Sequence, residues 1–179
     1  MNPIQFKPLH ENDLILLHQW FQEPLINQHY ARNKVWSFEE ISAKYLPRIQ
    51  SQEKIPSFIV SINNKPIGYI QYYCLTNYLP EGISTYNNSL FKDYYPDEIA
   101  GIDLFIAVAS ERGKNLGKTI ITNFIIEFLI NYKVIVVDPE ATNISAIRCY
   151  EKTDFIKSNV SENENHLIMI KKLPYTIKN

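Results

Sequence analysis

Nine consecutive residues, Ser110-Glu111-Arg112-Gly113-Lys114-Asn115-Leu116-Gly117-Lys118, hold two of the chain's five glycines and lie between two apolar runs. The run before them, Gly101 to Val108, contains one charged residue, Asp103. The run after them has apolar residues at 120, 121, 124, 125 and 128, the period of a helix. The pattern predicts a strand over 102–108, a basic turn, and a helix over 117–131. Such a helix start leaves backbone N–H groups unpaired and carries a partial positive charge. Glycine lets the backbone come close to whatever binds there. The segment therefore reads either as a plain helix start or as an anion site. In the second reading the donors are the amides of Gly113, Lys114, Asn115, Leu116, Gly117 and Lys118, with side-chain charge from Arg112, Lys114 and Lys118. The glycine spacing matches neither the phosphate loop of nucleotide hydrolases nor the dinucleotide fingerprint.

The rest of the chain extends this unit into a mixed sheet with helical cover. Ile4 to Phe6 alternates as a short strand. Glu11-Asn12-Asp13 opens a helix with Leu14, Leu17 and Phe21 on one face, ending before Pro24. Ser37 and Glu40 form a capping box for a helix reaching Tyr45-Leu46-Pro47. Two strands, 58–62 and 67–73, flank the turn Asn63-Asn64-Lys65. Val134 to Val137 is a continuous apolar run of the kind found in buried strands. A helix over 143–152 and a strand over 166–170 complete the pattern. We expect an α/β (α+β mixed) fold in a single domain, 1–179, with a central mixed sheet flanked by helices.

The balance of 18 basic against 19 acidic residues argues against nucleic acid as a partner. No run approaches the ~18 apolar residues of a membrane span, and Met1 to Lys7 lacks a signal-peptide core. A cytoplasmic protein, monomeric or a weak dimer, is expected. Cys74 and Cys149 show no metal or disulfide spacing and read as small buried hydrophobes. His10, His18, His29 and His166 show no ligand spacing either, so no metal is expected. Seven of the twelve tyrosines fall between Tyr69 and Tyr95. Residues 76–99 have little periodicity, and read as a substrate lid or as a surface loop packed on its own rings.

Arg112-Gly113-Lys114-Asn115-Leu116-Gly117 resembles the R/Q-x-x-G-x-G/A loop of the GNAT N-acetyltransferase superfamily. Asn143 to Phe155 resembles the N-x-x-A-x-x-x-Y-E-x-x-G-F segment of the same proteins. Asn12-Asp13-Leu14, Tyr45-Leu46-Pro47, Gln52-Glu53, Pro66 to Tyr69, Gly101 to Asp103, Asp138-Pro139 and Ala146 to Lys152 are similar to the aminoglycoside 6'-N-acetyltransferases. This resemblance implies a GNAT fold, a mostly antiparallel sheet, with acetyl-coenzyme A as co-substrate and a cationic amine as acceptor. It implies cofactor contacts from Ile106, Val108, Arg112 to Lys118, Asn143, Ala146 and Tyr150. It also implies substrate contacts from Tyr45, Glu53, Asp103 and Asp138, and from a position near the end that falls at Asn163 or Glu164. Two glycines of the family pattern are replaced, by Asn115 and Asp154. Asparagine is the non-glycine residue that best tolerates left-handed backbone, so the loop is expected to survive; aspartate shares part of that tolerance, but its charge is unfavourable at a helix C-terminus.

In that setting Asp103 and Tyr150 become the catalytic candidates. Direct attack of an amine on a thioester needs positioning and charge stabilisation. Asp103 would orient the amine or take its proton, and the Tyr150 hydroxyl would meet the departing thiolate. The plainer readings are an aspartate facing out of the sheet and a core tyrosine. Asn143 would reach the cofactor, cap its helix, or do both. Asp138 reads as a substrate contact at a strand end or as a turn aspartate before Pro139. Polyamines, siderophore precursors and protein amines are alternative acceptors, and a non-catalytic acyl-coenzyme A sensor is a further class.

Overall fold

The computed structural model describes residues 3–174. Among them are strands β1 (Ile4–Pro8), β2 (Ser57–Ile62), β3 (Lys65–Cys74), β4 (Ile99–Ile106), β5 (Val134–Val137), β6 (Ile156–Ser158) and β7 (Ile168–Lys172). The helices are α1 (Leu14–Phe21), α2 (Pro24–His29), α3 (Phe38–Ile49), α4 (Leu116–Phe124) and α5 (Ile144–Glu151). The strands form one sheet in the order β1-β2-β3-β4-β5-β7-β6. Its β4–β5 pair is parallel, whereas β1–β2, β2–β3, β5–β7 and β6–β7 are antiparallel. This is the mixed, mostly antiparallel sheet expected. The chain divides into two compact units, Met1–Gln71 with Leu104–Gly113, and Tyr72–Asp103 with Lys114–Asn179.

The first unit is built around an aromatic core. Leu14, Leu17 and Phe21 are buried along one face of α1, as the helical period requires. They meet Ile41 and Tyr45 of α3, Tyr69 and Phe105. Each such large side chain contributes roughly 1.5–3 kcal/mol on leaving water. The Ser37–Glu40 capping box is present, with Oγ accepting from the Glu40 amide at 3.2 Å and the Glu40 carboxylate accepting from the Ser37 amide at 2.9 Å. Pro24, expected only to end a helix, also begins one. It occupies the first position of α2, where the missing N–H is harmless, and the Glu23 carboxylate accepts from Leu25 and Ile26 at 3.1 Å each. Asn63 and Asn64 (φ 51° and 61°) form the two-residue turn between β2 and β3.

In the second unit β5 is buried along its length and runs parallel to β4 from Ile99 to Gly101. Helix α4 passes into a wide π turn, Ile125–Leu129. The extra residue in that turn advances the apolar stripe by one, so Leu129 is buried and Phe128, expected inside, is only half-buried. Strand β6 was not expected from the sequence; it is three residues long and pairs with β7. Strand β7 starts at Ile168, later than expected, while His166 makes an isolated bridge with Glu140. The tyrosine-rich loop is packed. Ile83 and Leu90 are buried, and the Tyr86 hydroxyl donates towards the carbonyls of Leu75 and Thr76 at 2.8 and 3.0 Å.

Candidate functional site

The second unit gathers acids around two buried phenols. Gly101 and Asp103 are two apart on β4, so their side-chain directions share one sheet face. The Tyr73 ring lies across Gly101: a Cβ there would stand 2.6 Å from the phenol oxygen. Only glycine leaves room for the ring. Asp138 follows β5, where a carboxylate oxygen accepts from the Glu81 amide at 2.7 Å. Its carbonyl oxygen is 2.9 Å from His166 Nδ1.

Electrostatics join these residues into one cluster. Burial pushes the Asp138 carboxyl up, to about 8, and the Asp103 charge pushes in the same direction. Burial also holds the Tyr73 hydroxyl well above the usual phenol range, followed by the charges of Asp103, Asp138 and Glu81. Burial likewise raises Tyr150, followed by Asp103, Cys149 and Asp138. Both phenols therefore remain proton donors at neutral pH, and a cation arriving among the acids would relieve their mutual repulsion. The structure thus brings together Asp103, Asp138 and Tyr150 of the expected set and adds Tyr73. Sequence reading missed Tyr73 because an alternating strand in a tyrosine-rich region gives no sign of which ring crosses a glycine.

The anion loop has the expected backbone. Gly113 (φ 75°) and Asn115 (φ 58°, ψ 12°) are both left-handed, so asparagine does here what glycine would do. Asn115 precedes α4 yet its side chain does not cap that helix; Oδ1 lies 3.4 Å from Lys152 Nζ. The first-turn amides of Leu116, Gly117 and Lys118 thus have no side-chain cap and suit an anion. Asp154 is also left-handed (φ 65°), and Lys171 answers its charge at 3.2 Å. Asn143 fills the capping role, its Oδ1 accepting from the Ala146 amide at 3.1 Å.

Arg112 departs from expectation. Its guanidinium donates to both Glu23 carboxylate oxygens (3.1 and 2.9 Å) and to the carbonyls of Ile106 (2.8 Å) and Ala107 (3.0 Å). The hydrogen bond from Arg112 is the largest cause holding Glu23 below the usual carboxylate range. Its own amide donates to the Ala109 carbonyl at 3.1 Å. The Arg112 side chain thus braces the end of β4 through the carbonyls of Ile106 and Ala107. A contact 89 residues away in sequence is invisible to motif reading.

Three further candidates lie outside the acid cluster. Tyr45 is fully buried in the core of the first unit, beside Phe21 and Tyr69 at 6.1 and 5.6 Å between ring centres. Glu53 is held by Arg48 at 3.1 Å, and Arg48 also donates to Gln71 at 2.5 Å. Glu164 is exposed, whereas its neighbours bind the tyrosine-rich loop. Glu162 accepts from Ser84 N (2.8 Å) and Asn88 Nδ2 (2.6 Å), and Asn163 donates to the Glu81 carbonyl at 3.4 Å. These ties make the loop a packed wall of the second unit. Cys74 and Cys149 are unbridged and half-buried, less enclosed than expected. Among the described residues no group of His, Cys, Asp and Glu could hold a metal ion, and no helix is long and apolar enough to cross a membrane.

A family model described as the acetyltransferase (GNAT) domain matches residues 10–162. The chain belongs to the GNAT acetyltransferases. It is 32% identical over 149 residues to an aminoglycoside N(6')-acetyltransferase type 1 from Klebsiella pneumoniae and to one from Serratia marcescens. Each match covers 81% of this chain and 70% of the relative. Among solved structures, an aminoglycoside acetyltransferase, AAC(6')-Ib, in complex with coenzyme A and kanamycin superimposes with a TM-score of 0.76. That match is 25% identical and covers 95% of each chain. As a GNAT protein the chain is an N-acetyltransferase with acetyl-coenzyme A as co-substrate. The loop geometry fits that co-substrate: left-handed Gly113 and Asn115 lead into first-turn amides that no side chain caps.

Proposed function

We propose that this GNAT enzyme acetylates the 6'-amino group of an aminoglycoside by direct attack within a ternary complex, the chain working as one acetyltransferase domain. The observation that carries the reading is the acid cluster, in which the charges of Asp103, Asp138 and Glu81 all act on one buried phenol, Tyr73. A polycationic sugar is the ligand such a cluster attracts, and the named relatives acetylate aminoglycosides.

Bound acetyl-coenzyme A supplies the acyl thioester. The amides of Gly113 to Lys118 and the Lys114 and Lys118 side chains hold its phosphates; Ile106, Val108, Asn143 and Ala146 line its arm. Asp103 orients the acceptor amine and receives the proton that nitrogen loses as the new C–N bond forms. Asp138 sets the charge around it and binds a second ammonium. As the C–S bond breaks, the sulfur leaves as the thiolate and accepts a hydrogen bond from the Tyr150 hydroxyl, which burial keeps protonated, while Asp103 holds the proton that the amine lost. Tyr73 stays protonated within reach of the charges of Asp103, Asp138 and Glu81. Tyr45 and Glu53 act through the first unit's packing and the Arg48 pair. Glu164 is left as a solvated charge.

The test is release of free coenzyme A thiol over a panel of aminoglycosides, polyamines and peptides. Turnover on 6'-amino aminoglycosides, absent from 6'-hydroxyl analogues, is expected. Turnover confined to polyamines or peptides would overturn the aminoglycoside assignment. Binding of acetyl-coenzyme A without any turnover would make the protein a sensor.

A further inference from the structure

On the reading that Asp138 contacts the acceptor amine, we propose that Glu162 is a positioning residue for the acceptor site. With Asn88 it clamps the tyrosine-rich loop so that the Glu81 amide stays on the Asp138 carboxylate. The clamp is built on the connector 159–167 between β6 and β7, and all of it lies within the second unit.

One side of the connector holds the segment that carries Asp138. The Ala141 amide donates to the Asn165 carbonyl at 2.8 Å, and the Leu167 amide donates to the Pro139 carbonyl at 3.0 Å. His166 Nδ1 stands 2.9 Å from the Asp138 carbonyl oxygen. The other side holds the loop. The Glu162 amide donates to the Gly82 carbonyl at 2.8 Å. The Glu162 carboxylate accepts from the Ser84 amide with one oxygen and from Asn88 Nδ2 with the other, at 2.8 and 2.6 Å. Gly82 packs so close to the connector that a Cβ there would stand 2.8 Å from Ser161 Oγ. Asn88 is buried; its Nδ2 also donates to the Val160 carbonyl (2.8 Å) and its Oδ1 accepts from the Leu90 amide (3.0 Å).

The consequence falls on Asp138. Its Oδ2 accepts from the Glu81 amide at 2.7 Å, and Glu81 directly precedes the clamped Gly82. The direction of the carboxylate and the position of the loop are therefore set together. Losing one bond of the clamp loosens residues 81–88 and lets the Asp138 carboxylate turn. That weakens its hold on an ammonium while leaving Asp103 and Tyr150 in place. Glu162 thus acts on the acceptor KM, and not on kcat.

Glu162→Gln is the sharp variant. It is exposed and isosteric, but a carboxamide offers one acceptor oxygen where the carboxylate offers two, so Ser84 or Asn88 loses its partner. Asn88→Asp breaks the same contact by setting two carboxylates against each other. Hydrogen-exchange mass spectrometry reads residues 81–90, release of coenzyme A thiol gives KM and kcat, and calorimetry gives acetyl-coenzyme A affinity. Both variants should exchange that segment at least about tenfold faster than wild type. They should raise the acceptor KM about fivefold or more, with kcat and cofactor affinity within about twofold of wild type. In an Asp138→Asn background Glu162→Gln should move KM by less than about twofold, because the charge it positions is gone. Unchanged exchange, an unchanged KM, a loss carried by kcat or by cofactor affinity, or effects that add to those of Asp138→Asn would each overturn the proposal. The kinetics are read on whichever amine wild type turns over, and the exchange needs no acceptor. A different acceptor would therefore overturn the aminoglycoside assignment and leave the clamp standing.

Discussion

Two groups of acids, one in each unit, are held in opposite ways. In the first, Glu23 is matched by Arg112 and Glu53 by Arg48, each with side-chain hydrogen bonds. In the second, the Asp138 carboxylate is met by a backbone amide, and the charges that act most on it are those of Asp103 and Glu81. Glu23 is held down and Asp138 is pushed up. A matched acid stabilises the fold and is spent on it. An acid pressed against others remains available to a cation that arrives from outside. On the proposed reading the second unit carries the amine chemistry, and the Arg112–Glu23 pair of the first braces the end of β4.

Asp103→Asn is the sharpest way to break this contrast. It should lower kcat/KM for the acceptor about a hundredfold or more, the range for losing a positioned acid–base group. Affinity for acetyl-coenzyme A, measured by calorimetry, should barely change. Gly101→Ala should come next, because the new methyl group displaces Tyr73 from its place over β4. We expect a loss in kcat of about tenfold or more together with a lower Tm, since forcing a group into a packed region typically costs about 1–3 kcal/mol.

Arg112→Met asks whether the first unit's pair is structural. Losing hydrogen bonds from a charged donor should lower stability by about 1–3 kcal/mol. The sign of its pH dependence follows from Glu23, whose carboxyl is depressed in the fold. The stabilisation is present above the unfolded glutamate value of about 4.3 and is lost as pH falls through the lower folded value. The Tm gap between variant and wild type should close on acidification.

Asp138→Asn should behave in the opposite sense. A carboxyl raised to about 8 favours the fold fully below its unfolded value of about 3.9, and that contribution is lost as pH rises towards 8. The variant should therefore gain Tm over wild type by an amount that grows from pH 5 to pH 9. The smallest effect belongs to Asn115. Asn115→Gly should be nearly silent, whereas Asn115→Ala should lose about 1–2 kcal/mol at a left-handed position, with weaker cofactor binding.

Local chemistry made much of the fold legible. The Ser37–Glu40 box, the Asn63-Asn64 turn, the apolar run of β5 and the tolerance of Asn115 and Asp154 for left-handed backbone are each fixed within a few residues. What escaped depends on distant partners. The π turn at 125–129 has no sequence signature apart from the burial it achieves, so Phe128 was placed where Leu129 sits. Glu23 makes Pro24 a helix start, and Arg112 reaches the same carboxylate from the other end of the unit. Of the proposed site, Asp103, Asp138 and Tyr150 were legible as types in a pattern. Tyr73 was not, because its position depends on Gly101 in a neighbouring strand. Nor does anything local show that Glu162 would tie down the tyrosine-rich loop, since its partners Ser84 and Asn88 lie 78 and 74 residues away.

The central claim, that the Asp103–Asp138 cluster receives the cationic acceptor, is tested most directly by the protons displaced when the acceptor binds. Calorimetry of a 6'-amino aminoglycoside at pH 7, repeated in buffers of different ionisation enthalpy, counts them. An arriving ammonium lowers the raised Asp138 carboxyl, so wild type should release more protons per ligand than Asp138→Asn, with weaker binding in the variant. Identical proton counts and identical affinity in the two proteins would contradict the account.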